Sequence, residues 1–176
     1  MLKVYLLFFV FYPSIFVSAQ QKSEKDSTNN TLVIQTVEKY GPLISPTYQT
    51  AVRTKMVIGI LEKLTDLDSI DKARINIEIT ENVYELMLKG SPEPQGVYYT
   101  LTTNGKGIPI DNIADVKPGD FVQFWYPKSW GHCGIVKEIK AEEGLMLLYS
   151  SFPSTDGYGI EVFDIPSYCY FVRLRF

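Results

Sequence analysis

Histidine, cysteine and positive charge are what this chain has least of. Its 176 residues include one histidine, two cysteines and 17 Lys+Arg against 20 Asp+Glu, a net charge of −3. Two thiols, Cys133 and Cys169, are too few for a disulfide framework. With a single histidine, no Cys/His cluster is available for structural zinc, so no metal site is expected. A net negative chain also lacks the basic surface of a protein that tracks phosphates, which argues against nucleic acid as a partner. There is no internal repeat. What is present is 45% apolar, 14% aromatic and 21% charged residues. That composition can bury the core of one globular domain and is unlike a disordered chain.

The N-terminus reads as a signal peptide rather than as fold. Lys3 is its only charge, residues 4–12 are an apolar run, Pro13 interrupts it, and Val17-Ser18-Ala19 places small residues before a cut at Gln20. The run is too short to span a bilayer comfortably as a helix. An uncleaved anchor is the alternative, but no stable membrane insertion is expected after cleavage. No cysteine sits at the cut, which argues against a lipoprotein. Residues 1–19 are thus assigned to the signal, 20–30 to a polar flexible tether, and 31–176 to a single domain, secreted or periplasmic. In that oxidising compartment Cys133 and Cys169 either pair or remain free thiols.

Periodicity divides the mature chain into helices and then strands. Asn30 is placed to cap a helix ending near Tyr40, with Val33, Val37 and Tyr40 on one stripe and Gly41-Pro42 as its stop. After a loop over residues 43–49, Thr50 is placed to cap a central helix extending to about Leu64. Arg53, Val57, Ile60, Leu61 and Leu64 share one face of it, with Val52, Met56 and Lys63 beside that face. Residues 70–79 fit either helix or strand. Thr80 is placed to cap a short helix through Leu88, and residues 96–103 form another helical piece closed by Asn104-Gly105. From Asp120 onward come β-branched and aromatic runs at 121–125, 132–139, 145–151, 159–163 and 168–174, separated by turn residues. Helices followed by a strand meander predict an α+β domain.

Two strand motifs carry a resemblance. Val116-Lys117-Pro118-Gly119-Asp120-Phe121-Val122 and Gly131-His132-Cys133-Gly134-Ile135-Val136 resemble the strands of NlpC-type papain-like amidases and cysteine peptidases, the second resembling the strand that bears the general base. The resemblance implies N-terminal helices packed on a small antiparallel β-barrel or sheet. It also implies cleavage of amide bonds, often in peptidoglycan peptides, with no metal or organic cofactor. It puts a nucleophilic cysteine in the first turn of the central helix. Here that turn reads Val52-Arg53-Thr54-Lys55-Met56-Val57, so Arg53 occupies the nucleophile position.

A guanidinium stays protonated and cannot attack a carbonyl. Beside His132 it would oppose an imidazolium, whereas a thiolate site needs the reverse. The chain therefore reads as a hydrolase scaffold without its usual chemistry, in which Arg53 can instead grip a carboxylate with its planar fork. His132 holds the base position. Cys133, its neighbour, points to the opposite face of the strand and is expected in the core beside Ile135. Thr54 is a weak substitute nucleophile and is expected to sit in the helix as a neutral hydroxyl.

The third polar residue of such a site falls on Ser150 or Ser151, of which alternation admits one. Gln123 and Trp125 share a face of the preceding strand and can line the cleft, though core packing explains Trp125 equally well. Tyr48, in the loop before the central helix, joins them as a binding candidate. Trp130, Tyr126 and Tyr158 lie near turns, as a rim or as closure of a core. The function expected first is a secreted, catalytically silent amidase-like protein that binds a peptide, a peptidoglycan fragment or a partner protein. An active amide hydrolase and an unrelated structural or interaction module are the alternatives.

Overall fold

The computed structural model describes residues 14–77, 81–127 and 130–176, with side chains from Asn29 onward. Residues 1–13 of the expected signal peptide, and Thr80 as a cap, lie outside the described residues. Among the described residues five α-helices come first: α1 (Ser14–Ile44), α2 (Arg53–Leu61), α3 (Ser69–Asn76), α4 (Val83–Leu88) and α5 (Gly96–Thr103). The strands β1 (Gly107–Ile110), β2 (Phe121–Trp125), β3 (Gly131–Lys140), β4 (Leu145–Phe152), β5 (Gly157–Asp164) and β6 (Tyr168–Leu174) follow. They form one antiparallel sheet in the order β1-β6-β2-β3-β4-β5, with β1 and β5 as its edges, so the sheet is not closed into a barrel. The domain is α+β. No described helix is long and apolar enough to cross a membrane.

The helices differ from expectation where tertiary contacts outweigh local signals. Helical backbone runs from Ser14 through the stretch read as a tether and past Gly41-Pro42 to Ile44. Asn30 is not a cap. Its Nδ2 donates to Pro118 O (2.8 Å) and Asp120 Oδ1 (2.9 Å), joining α1 to the turn before β2. Gly41 is a packing residue, because a Cβ there would stand 2.4 Å from the Tyr158 ring. Helix α2 starts at Arg53 with no side-chain cap and buries Met56, Val57, Ile60 and Leu61. Of the ambiguous residues 70–79, those up to Asn76 are helix, and 78–79 lie outside the described residues. Asp68 caps α3 through a reciprocal capping box with Asp71, and Asn82 caps α4.

The five expected strands are present with ends shifted by at most two residues, and β1 is added. Its Gly-Ile-Pro-Ile sequence gives little strand signal, and Pro109 is tolerated because β1 is an edge paired only with β6. The turn before β2 has a structural purpose. Gly119 has φ +92°, and a Cβ there would lie 2.6 Å from Asn30 O. Asp120 is fully buried and takes two 2.8 Å hydrogen bonds from Arg173, from Nε to Oδ1 and from Nη2 to Oδ2.

Each face of the sheet has its own core. The helices cover one face, where Val37, Val57, Ile60 and Leu101 meet Phe121, Cys133, Ile135, Tyr149 and Val172. The opposite face buries Val122, Phe124, Val136, Leu148, Phe152, Phe163 and Phe171, and among the described residues no α-helix contributes a side chain to that core.

Candidate functional site

A cleft of about 290 Å³ opens where α2 begins, between that helix and the strands β2 and β3. Its lining includes Tyr48, Arg53, Thr54, Asn76, Gln123, Trp125 and Cys133. Strand alternation explains the membership. The β2–β3 register sets Gln123 opposite Cys133 and Phe124 opposite His132. Gln123 and Cys133 therefore face the helices, and Phe124 and His132 face the other way.

The sequence expectation of a guanidinium opposite the imidazole is corrected here. His132 borders the cleft through its main chain, whose carbonyl accepts from Gln123 Nε2 at 3.0 Å. Its ring stacks on Phe152 (centroids 5.0 Å apart, planes 6° apart) and Phe163 (5.4 Å, 27°), with Phe124 and Trp130 also in ring contact. Its Nε2 is buried with no hydrogen-bond partner. Burial, and then the positive charge of Arg53, hold the imidazole pKa down to about 3. A ring so enclosed is a neutral core residue at physiological pH.

The two serines divide as alternation requires. Ser150 lies on the His132 face and donates to Cys133 O at 2.9 Å, so it orients no imidazole. Ser151 faces the helices and is 2.8 Å from Ser45 Oγ. Trp130 is 43% exposed and packs with Tyr126, Phe124 and Phe163 at the margin of the second core, away from the cleft. Trp125 does reach the cleft. Its Nε1 donates to Pro94 O (2.7 Å), and its indole lies over Gly131, where a Cβ would be 2.2 Å from Cε3. Cys133 is buried in the helix-side core and at the cleft floor, with its thiol pushed up to about 12 chiefly by burial. Both cysteines are free.

Positive charge is concentrated where the cleft meets the start of α2. Arg53 is half-buried and has no ion pair or hydrogen bond among the described residues. It begins a helix with no side-chain cap and no acidic residue in its first turn, so the first N–H groups and the helix dipole add to its charge. Thr54 Oγ1 donates to Asn76 Oδ1 at 3.0 Å, tying α2 to the end of α3. Gln123 is 2% exposed, and its Oε1 is buried without a donor.

Sequence reasoning missed Asn76 and Ile77 as cleft residues. Ile77 takes φ +51°, an uncommon backbone state for a β-branched side chain. Nothing in a linear pattern marks that conformation. Among the described residues no group of three His, Cys, Asp or Glu side chains could hold a metal ion. No family model matches the chain, and neither a characterised protein nor a solved structure does.

Proposed function

We propose that the chain is an exported domain that binds peptides by a carboxylate, descends from NlpC-type papain-like amidases, and does not cleave amide bonds. One observation carries the reading. Arg53 is a guanidinium with no partner among the described residues, at an uncapped helix start, set in a cleft beside a buried polar side chain that lacks a donor. Two cations, Arg53 and Lys55, in the first turn of a helix oppose its dipole by about 0.3–1 kcal/mol each. A carboxylate seated there removes that conflict. Peptidoglycan fragments, rich in carboxylates, are the proposed ligands.

Support for the ancestry is the order of elements: helices, then an antiparallel sheet, with α2 packed on β3 and β4 and the Pro118-Gly119-Asp120 turn opening β2. Support for lost chemistry is the dispersal of its parts. The nucleophile position holds Arg53, the imidazole stacks in the far core, and Ser150 serves a backbone carbonyl. Amide hydrolysis through Cys133 is a second reading, favoured by the place of that thiol at the cleft floor. With its pKa near 12 it stays protonated at neutral pH.

Calorimetry with acetyl-alanine, a minimal free carboxylate, tests the reading. Arg53→Gln should weaken binding by about 10- to 100-fold, the worth of a charge-assisted hydrogen bond. Equal affinity in Arg53→Gln, or no binding by the wild type, overturns the carboxylate grip. Turnover of wall-derived peptides that disappears in Cys133→Ala would establish the hydrolase instead.

A further inference from the structure

A second and larger cavity, about 710 Å³, lies beyond the cleft, lined by Ile70, Ala73, Arg74, Pro92 and Tyr99 among others. Ile77 lines both cavities. At the seam between them the side chains of Ile77 and Gln123 converge on Gly96. A Cβ on that glycine would stand 2.6 Å from Ile77 Cδ1 and 2.9 Å from Gln123 Oε1. Gly96 has φ +42° and Ile77 φ +51°, so the backbone on both sides of the seam is held in the left-handed half of conformational space. The unsatisfied Gln123 Oε1 sits at this seam.

We propose that the cleft and the larger cavity are one groove for an extended peptide with a free C-terminal carboxylate. Arg53 holds the carboxylate. The last peptide N–H crosses the seam past Ile77 and donates to Gln123 Oε1. The preceding side chain enters the larger cavity, where Ile70, Ile77, Pro92 and Tyr99 offer an apolar wall. Burial of a Gln oxygen without a donor is costly, and a main-chain N–H arriving from the ligand satisfies it. Specificity then follows from the parts. A free carboxylate and an unsubstituted final amide are required, an apolar or aromatic side chain is favoured next to the terminus, and a C-terminal amide is rejected.

This assignment rests on the Arg53 carboxylate grip and adds the path beyond it. Three ligands separate the two claims by calorimetry: acetyl-alanine, acetyl-phenylalanyl-alanine, and acetyl-phenylalanyl-lactate, in which an ester oxygen replaces the final N–H. Wild-type protein should bind the dipeptide at least tenfold more tightly than acetyl-alanine, from the buried aromatic side chain. The lactate ester should lose about tenfold of that gain. Ala73 is an exposed position on α3 lining the larger cavity, so Ala73→Trp should fill the cavity and bring the dipeptide-to-acetyl-alanine ratio to about 1. Acetyl-alanine binding with no gain for the dipeptide overturns the groove while leaving the grip intact. So does a ratio unchanged in Ala73→Trp, or an ester that binds as well as the amide. Failure of all three ligands overturns the grip and the groove together.

Discussion

Replacing His132 with phenylalanine removes the sole imidazole from a wholly aromatic setting. The ring is packed against Phe124, Phe152, Phe163 and Trp130, and its Nε2 has no partner. Cys169 and Tyr126, the other titratable groups that line this core, have pKa values raised by burial and carry no charge in the acid range. Glu161, on the same face of β5, has its carboxyl raised above the ordinary range by burial and accepts a hydrogen bond from Ser154 Oγ, not from the imidazole. A proton on His132 would therefore be uncompensated, and the Arg53 charge adds to the penalty.

The folded pKa of about 3 lies below the 6.5 of a free imidazole. The neutral ring thus stabilises the fold fully above pH 6.5, and that stability drains away as pH falls toward 3, because the unfolded chain binds the proton first. One pKa unit is 1.36 kcal/mol, so the full loss is about 5 kcal/mol, of which about 1.4 kcal/mol appears between pH 7.5 and 5.5. For a domain of this size that is about 3–6 °C in Tm. Thermal melts at the two pH values, on wild type and His132→Phe, read the effect. Carboxylates common to both proteins cancel in the comparison. His132→Phe should lack the drop. An equal fall in both proteins would mean that the imidazole is solvated or partnered, and the placement of its ring in the second core would be refuted.

Two further substitutions test the joints that hold the cleft in place. Asp120→Asn should destabilise the fold by about 3–5 kcal/mol in urea titration, because Arg173 keeps its charge at a largely buried site after its carboxylate is gone. A loss under 1 kcal/mol would show the pair to be solvent-screened. Gly41→Ala should cost about 1–3 kcal/mol by crowding the Tyr158 ring, and an additional Tyr158→Ala change should relieve most of that increment. Full additivity of the two changes would contradict the contact between α1 and β5.

Much of the architecture was legible because both periods are strong. The stripe Val57, Ile60 and Leu61 marks the buried face of α2, and turn residues punctuate the strands closely enough to fix five of six. Boundaries failed where a distant contact outweighed a local signal. Gly41-Pro42 looks like a helix stop, yet the glycine is there to admit Tyr158. Asn30 looks like a cap, yet its amide serves the Asp120 network. At the site, Arg53, Gln123, Trp125 and Tyr48 line one cleft, whereas the side chains of His132, Ser150 and Trp130 turn to the other side of the sheet.

The amino-acid order by itself determined the α+β division, the buried helix with Arg53 at its start, and the rule that His132 and Cys133 point to opposite faces. Which of the two meets the helices was decided only by tertiary structure. Residues 131–136 are buried without interruption, so no polar-to-apolar alternation distinguishes the faces of that strand. The aromatic residues on the far face of the sheet supply a second core for the imidazole, and the pairing of β2 with β3 delivers the thiol and the glutamine to the cleft.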